Sequence, residues 1–155
     1  MAGKNGGTSS VAMAVARMVV GIMFLLFAQY KLLGSEFAHG GYEHYVSGYE
    51  QVTAVGVYRP FLRATLRHPV ASGYGVGVAE LLIGLSMVLG LWVRPFAIAG
   101  GLFMLNLLLC TWVLPHGSAI WKYFGNELDN IGLLLLFVLF FAHNAGQTLG
   151  LDGRK

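Results

Sequence analysis

Charge is what this chain has least of. Asp, Glu, Lys and Arg make up only 11% of its 155 residues, where soluble domains average about 25%. With 56% hydrophobic residues and a mean hydropathy of +0.66, that shortage excludes an ordinary soluble domain and points to the membrane. The net charge is +3. In such a chain a basic balance bears on orientation, and no nucleic-acid partner is expected.

Cysteine is almost missing. Cys110 stands alone in an apolar run, which excludes an intramolecular disulfide and any multi-cysteine cluster. None of the histidines, His39, His44, His68, His116 and His143, falls mid-span, so two opposed haem ligands within the chain are not expected. His39, His44 and His116 could meet Glu36 and Glu43 on a loop face, but without a metal-ligand spacing; no metal site is expected. No phosphate-cradling loop, nucleophile elbow or dinucleotide fingerprint occurs. The chain therefore carries no cofactor of its own, and any electron carrier would sit on a partner. A charged n-region with an A-x-A-like cleavage site is also missing before the first apolar run.

Long apolar runs are plentiful. Val70–Trp92 is long enough to cross a bilayer, which takes about 20 apolar residues, and it holds one ionisable group, Glu80. A carboxylate at that depth costs roughly 2.5–3.5 kcal/mol, so it should face a bundle interior or a wet cavity. Gly73, Gly77 and Gly84 share its helical face, and small residues there let another helix approach closely.

Three further runs read as spans: Val11–Leu33, interrupted by Arg17 and closed by Tyr30 and Lys31; Phe96–Leu114, interrupted by Asn106; and Glu127–His143, opening on Glu127, Asp129 and Asn130. The expected fold is all-α, an integral membrane antiparallel four-helix bundle. It forms one domain over residues 11–152, between a disordered tail at 1–10 and a short tail at 153–155.

The long connection Gly34–Pro69 repeats Tyr42, Tyr45, Tyr49 and Val52 at helical spacing, which predicts a short amphipathic helix lying in the interface between helices one and two. Arg59, Arg63 and Arg67 follow four apart, as snorkelling anchors or an anion site. Four spans put both termini on one side. Lysine and arginine counts are nearly balanced, with the short second loop favouring the cytoplasm.

Depth along the spans groups the polar residues. Glu80 lies roughly 18 Å and Asn106 roughly 17 Å from the terminal side at about 1.5 Å per residue. Asn130 falls somewhat higher. The expectation is a mid-membrane layer of Glu80, Asn106 and Asn130, and an outer layer pairing Lys31 with Asp129 or Glu127. Arg17 would reach up to Glu80 or snorkel down. Asparagines in such layers serve helix pairing. Glu80 either serves pairing too or, as the candidate catalytic residue, handles protons or binds a polar headgroup or redox ligand.

In this set of residues the chain resembles the DoxX family of membrane proteins. Helix one carries Arg17, Gly21, Phe24, Leu25, Lys31 and Leu32 in the family's order. Helix two matches through Glu80, Leu81, Leu82 and Gly84, and the next turn through Leu89, Gly90, Arg94 and Pro95. Met104, Asn106 and Leu108 follow, and Gly146, Leu149, Leu151 and Asp152 close the pattern. Ala28 departs from it where many members carry glycine, as does the long aromatic connection Phe37–Tyr58.

The resemblance implies a small four-helix subunit of an oxidoreductase complex in the bacterial cytoplasmic (inner) membrane. One branch, the DoxD-like proteins, is a subunit of thiosulfate:quinone oxidoreductase. Quinone near Glu80 is thus the implied ligand, and other subunits are the implied partners, met on the aromatic face of Tyr42, Tyr45, Tyr49, Trp112, Trp121 and Tyr123. As an enzyme the chain would be at most one subunit of a quinone-linked oxidoreductase. The competing expectation is a non-catalytic anchor of a larger membrane complex.

Overall fold

The structure is a computed structural model and describes residues 5–113, 120–125 and 127–154. It is all-helical, with no strand among the described residues. The helices are α1 Asn5–Leu33, α2 Tyr42–Val52, α3 Arg59–Thr65, α4 Pro69–Leu89, α5 Val93–Thr111, α6 Ile120–Gly125 and α7 Leu128–Ala142. Within the expected tail, residues 1–4 lie outside the described residues, and α1 already begins at Asn5.

Among the described residues, three helices are long and apolar enough to span a membrane: Ser10–Leu33 with 24 residues, Pro69–Leu89 with 21 and Val93–Thr111 with 19. At about 1.5 Å per residue the shortest measures roughly 29 Å, close to the roughly 30 Å of a hydrocarbon core. Helix α7 has 15 residues, or roughly 22 Å. The chain is an integral membrane protein, and its apolar outer faces (Val19, Leu26, Leu82, Leu102 and Leu135 are all exposed) meet lipid.

Helix α1 packs along α4, and α5 along α7. The small face around Glu80 is what receives α1. A Cβ on Gly84 would stand 2.8 Å from Leu25 Cδ2, and one on Gly77 2.8 Å from Leu32 Cδ2. Two leucines of α1, seven residues apart, thus seat in two glycine notches of α4, seven residues apart, and set the register of the pair. Between α5 and α7 the ring of Phe137 fills the space over Gly100. Phe24 meets Phe137 edge-on, with centroids 5.5 Å apart and planes at 89°, and so joins the two pairs in one core with Met87 and Phe140.

The turn between α4 and α5 is built from three local features. Gly90 adopts φ 66° as the C-cap of α4, a region open to glycine at little cost. Trp92 follows with φ 53°, and Asp152 returns from the tail to cap α5. Its carboxylate accepts from Trp92 N and Val93 N, both at 2.9 Å, while its own N–H donates to Gly90 O at 2.9 Å. A carboxylate at a helix N-terminus satisfies otherwise orphaned donors and complements the helix dipole.

The connection after α1 does not lie loose. It enters a π-helical stretch, Phe37–Gly41, kinked at His39 and Gly40. Ala38 and Tyr42 then close on the third notch of α4, Gly73. A second core of Phe37, Tyr42, Val46, Leu62 and Cys110 holds α2 and α3 against α5.

Candidate functional site

Because α1 packs on α4, Lys31 ends beside Glu80, and the two form an ion pair. Glu80 is 4% exposed. Its Oε1 accepts from Lys31 Nζ, while its Oε2 is buried with no partner. The ammonium also lies 5.1 Å from the centroid of the Phe37 ring and 6.0 Å from that of Phe27, within cation–π range. The expected outer layer is thereby corrected: Lys31 pairs with neither Asp129 nor Glu127. Glu127 instead accepts from Thr111 Oγ1 at 2.6 Å and from Asn130 Nδ2 at 3.0 Å. Asp129 is exposed and accepts from the Asn130 backbone N–H. The physical reason is partner choice. Depth along each helix places Lys31 and the α7 carboxylates at one membrane boundary, but the glycine notches commit α1 to α4.

The expected middle layer also divides. Asn130 belongs to the Glu127 group at the start of α7. Asn106 accepts, through Oδ1, a hydrogen bond from the Tyr58 hydroxyl. Neither bonds to Glu80. Burial pushes the Tyr58 phenol up to about 12, with Cys110 and Tyr42 adding in the same direction. Tyr58 therefore keeps its proton and remains a donor to Asn106 at physiological pH.

Arg17 neither reaches Glu80 nor snorkels. It is 0% exposed, and its guanidinium donates to Met87 O and, at 3.2 Å, to Leu149 O. It ties α1 to the end of α4 and to the returning tail. A Cβ on Gly90 would stand 2.8 Å from one guanidinium nitrogen of Arg17, so the turn needs glycine for space as well as for φ.

Beside the ion pair lies a cavity of about 810 Å³, walled by α1, α2, α3, α4 and α5. Its lining is mostly apolar or aromatic, including Leu26, Phe27, Tyr42, Leu62 and Leu107; Lys31 is its one charged side chain, and Asn106 also lines it. Leu26, Phe27 and Phe61 at its rim are exposed on the outer surface, so it opens sideways toward lipid. A volume of this size and a mostly apolar wall with a few polar points match small-molecule sites in general.

Sequence reasoning missed the residues that fasten the cavity's walling connection to α5. Thr53 is fully buried. Its hydroxyl donates to Leu109 O at 2.8 Å, and the neighbouring Ala54 N–H donates to Trp112 O at 2.8 Å. These bonds and that of Tyr58 peg the connection to the end of α5. The only signal in the sequence was a Thr and a Tyr in a loop that otherwise reads as interfacial.

Of the expected aromatic docking face, Tyr42, Tyr45 and Tyr49 line the cavity, with Tyr42 buried and Tyr45 51% exposed, and Trp121 is 70% exposed. The side chain of Tyr123 lies outside the described residues, as do His116, Lys4 and Lys155. The three arginines do not form one cluster. Arg63 pairs with Glu50 at 2.7 Å, Arg59 donates to Thr53 O, and α3 ends before Arg67. Among the described residues, no three His, Cys, Asp or Glu side chains stand close enough to hold a metal ion.

Fold and site together define a small, all-helical integral membrane protein with a lipid-facing cavity beside a buried ion pair. The DoxX family model matches residues 12–117, and the chain belongs to the DoxX family. No curated protein and no solved structure matches it.

Proposed function

We propose that the protein is the small membrane subunit of an oxidoreductase complex and that its cavity takes the ring of a quinone entering from the bilayer. The observation that carries this reading is the cavity of about 810 Å³, open to lipid, with Lys31 in its wall and Glu80 paired to Lys31 behind it. Lys31 is already neutralised by Glu80, so the site offers hydrogen bonding without net charge. That disfavours an anionic lipid headgroup and suits a neutral ring with carbonyl oxygens. Reduction of a quinone to quinol takes two electrons and two protons. Glu80, with one oxygen on Lys31 and the other unpartnered, is the acid positioned to pass protons. The electrons come from a redox-active partner subunit.

A cavity-filling variant tests this reading. Wild-type protein extracted into lipid nanodiscs should bind a short-chain quinone, and Leu107→Trp should bind it at least tenfold more weakly while keeping its helical content. Equal binding by a well-folded Leu107→Trp protein, or none by the wild type, leaves the non-catalytic anchor as the better reading.

In the same proposal α7 is the fourth span and completes an antiparallel bundle. The protein sits in a bacterial cytoplasmic membrane with both termini in the cytoplasm, and α2 lies near the opposite interface. Reporters fused before Lys4 and after Lys155 should then read one compartment and a reporter at Ser47 the other. Opposite readings at the two ends reject four spans.

A further inference from the structure

Asn106 has two functional ends, and Tyr58 uses one of them. The phenol donates to Oδ1, which leaves the amide nitrogen on the other side of the group. The other end, Nδ2, carries two N–H donors and no acceptor. Among the described residues nothing accepts from it, and Asn106 lines the cavity. Lys31 lines the same cavity from α1. It spends one of its three N–H donors on Glu80.

We infer that the cavity holds its ligand between two nitrogen donors, the Lys31 ammonium on α1 and the Asn106 amide on α5, and so selects a ring with two carbonyl acceptors over one with a single carbonyl. The inference deepens the quinone reading and rests on it: the proposal above names the cavity, whereas this one names the residue that tells a dione from a monoketone. Asn106 is the specificity residue. Tyr58 is a positioning residue that acts through it, and with Thr53 it also pegs the connection over the cavity. A site whose donors are prearranged loses little freedom on binding. A ligand lacking the second carbonyl covers the amide donors and leaves them unpaired, which is the costly arrangement.

The experiment measures binding of two probes to the full-length protein in nanodiscs. One is a 1,4-naphthoquinone with a short prenyl tail; the other is a 1-tetralone with the same tail. The wild type should bind the dione about five- to tenfold more tightly, the worth of one hydrogen bond in a buried site. Asn106→Leu should lose that preference by weakening dione binding alone. Tyr58→Phe should keep the Asn106 side chain but free it to rotate, and should lose about half of the preference. This variant carries the test on its own if Asn106→Leu does not assemble.

Wild-type preference for the dione that persists undiminished in both variants overturns the inference and leaves the quinone reading standing. Wild-type protein that binds neither probe overturns both.

Discussion

Lys31→Met alone should destabilise the protein by about 3–5 kcal/mol, because it leaves Glu80 as an uncompensated buried carboxylate. Glu80 is the more enclosed partner, with a side-chain exposure of 5% against 15% for Lys31, so the carboxylate is the group that loses most when its partner goes. Glu80→Gln should be costly in the mirror sense, stranding an ammonium between Phe27 and Phe37. The double variant Lys31→Met, Glu80→Gln removes both charges, and in it most of the loss should return. Reversible unfolding in mixed micelles gives the three free energies, and the sum of the single losses should exceed the double loss by at least 2 kcal/mol. Strict additivity would show that the two groups do not feel each other. The same cycle has a bearing on activity. Glu80→Gln is no simple test of proton transfer here, since it also breaks the pair; activity has to be compared between the double variant and Lys31→Met.

Arg17→Leu should be about equally damaging. Its removal leaves Met87 O and Leu149 O without their donors, at roughly 1–3 kcal/mol for each buried carbonyl. It also unties the tail from the end of α4. Arg17→Lys should rescue only part of this, because one ammonium does not reproduce a planar fork that reaches two carbonyls on different segments. Unfolding in micelles gives the stability, and limited proteolysis gives the local effect: cleavage in residues 143–154 should become fast in Arg17→Leu while α1, α4 and α5 stay protected. Wild-type stability together with a protected tail would show that the Asp152 cap holds the segment without Arg17.

Much of the architecture was legible because membranes impose simple demands. A helix must be about 20 residues long and apolar to cross, and Val11–Leu33, Val70–Trp92 and Phe96–Leu114 announced α1, α4 and α5, the largest difference being the six residues by which α1 begins earlier. The small face of Gly73, Gly77 and Gly84 was legible for the same reason, since glycines three and four residues from a buried acid have few other uses in a span. The cavity was not legible. Its roof comes from a connection that, judged by composition, lies in the interface. What draws that connection inward is a handful of bonds from Thr53, Ala54 and Tyr58 to the end of α5, and such contacts leave no periodic trace.

The residues by themselves determined that this is a membrane protein, where its main spans run, and that Glu80 lies on a face meant for a closely packed helix. Only the tertiary structure decided which helix that is, and with it the partner of every buried polar group. Depth and periodicity are properties of one helix and can be counted along a chain. The choice of neighbour is a property of two surfaces. It was settled by Leu25 and Leu32 fitting into Gly84 and Gly77, and that fit brought Lys31 to Glu80 and left Glu127 to Thr111 and Asn130.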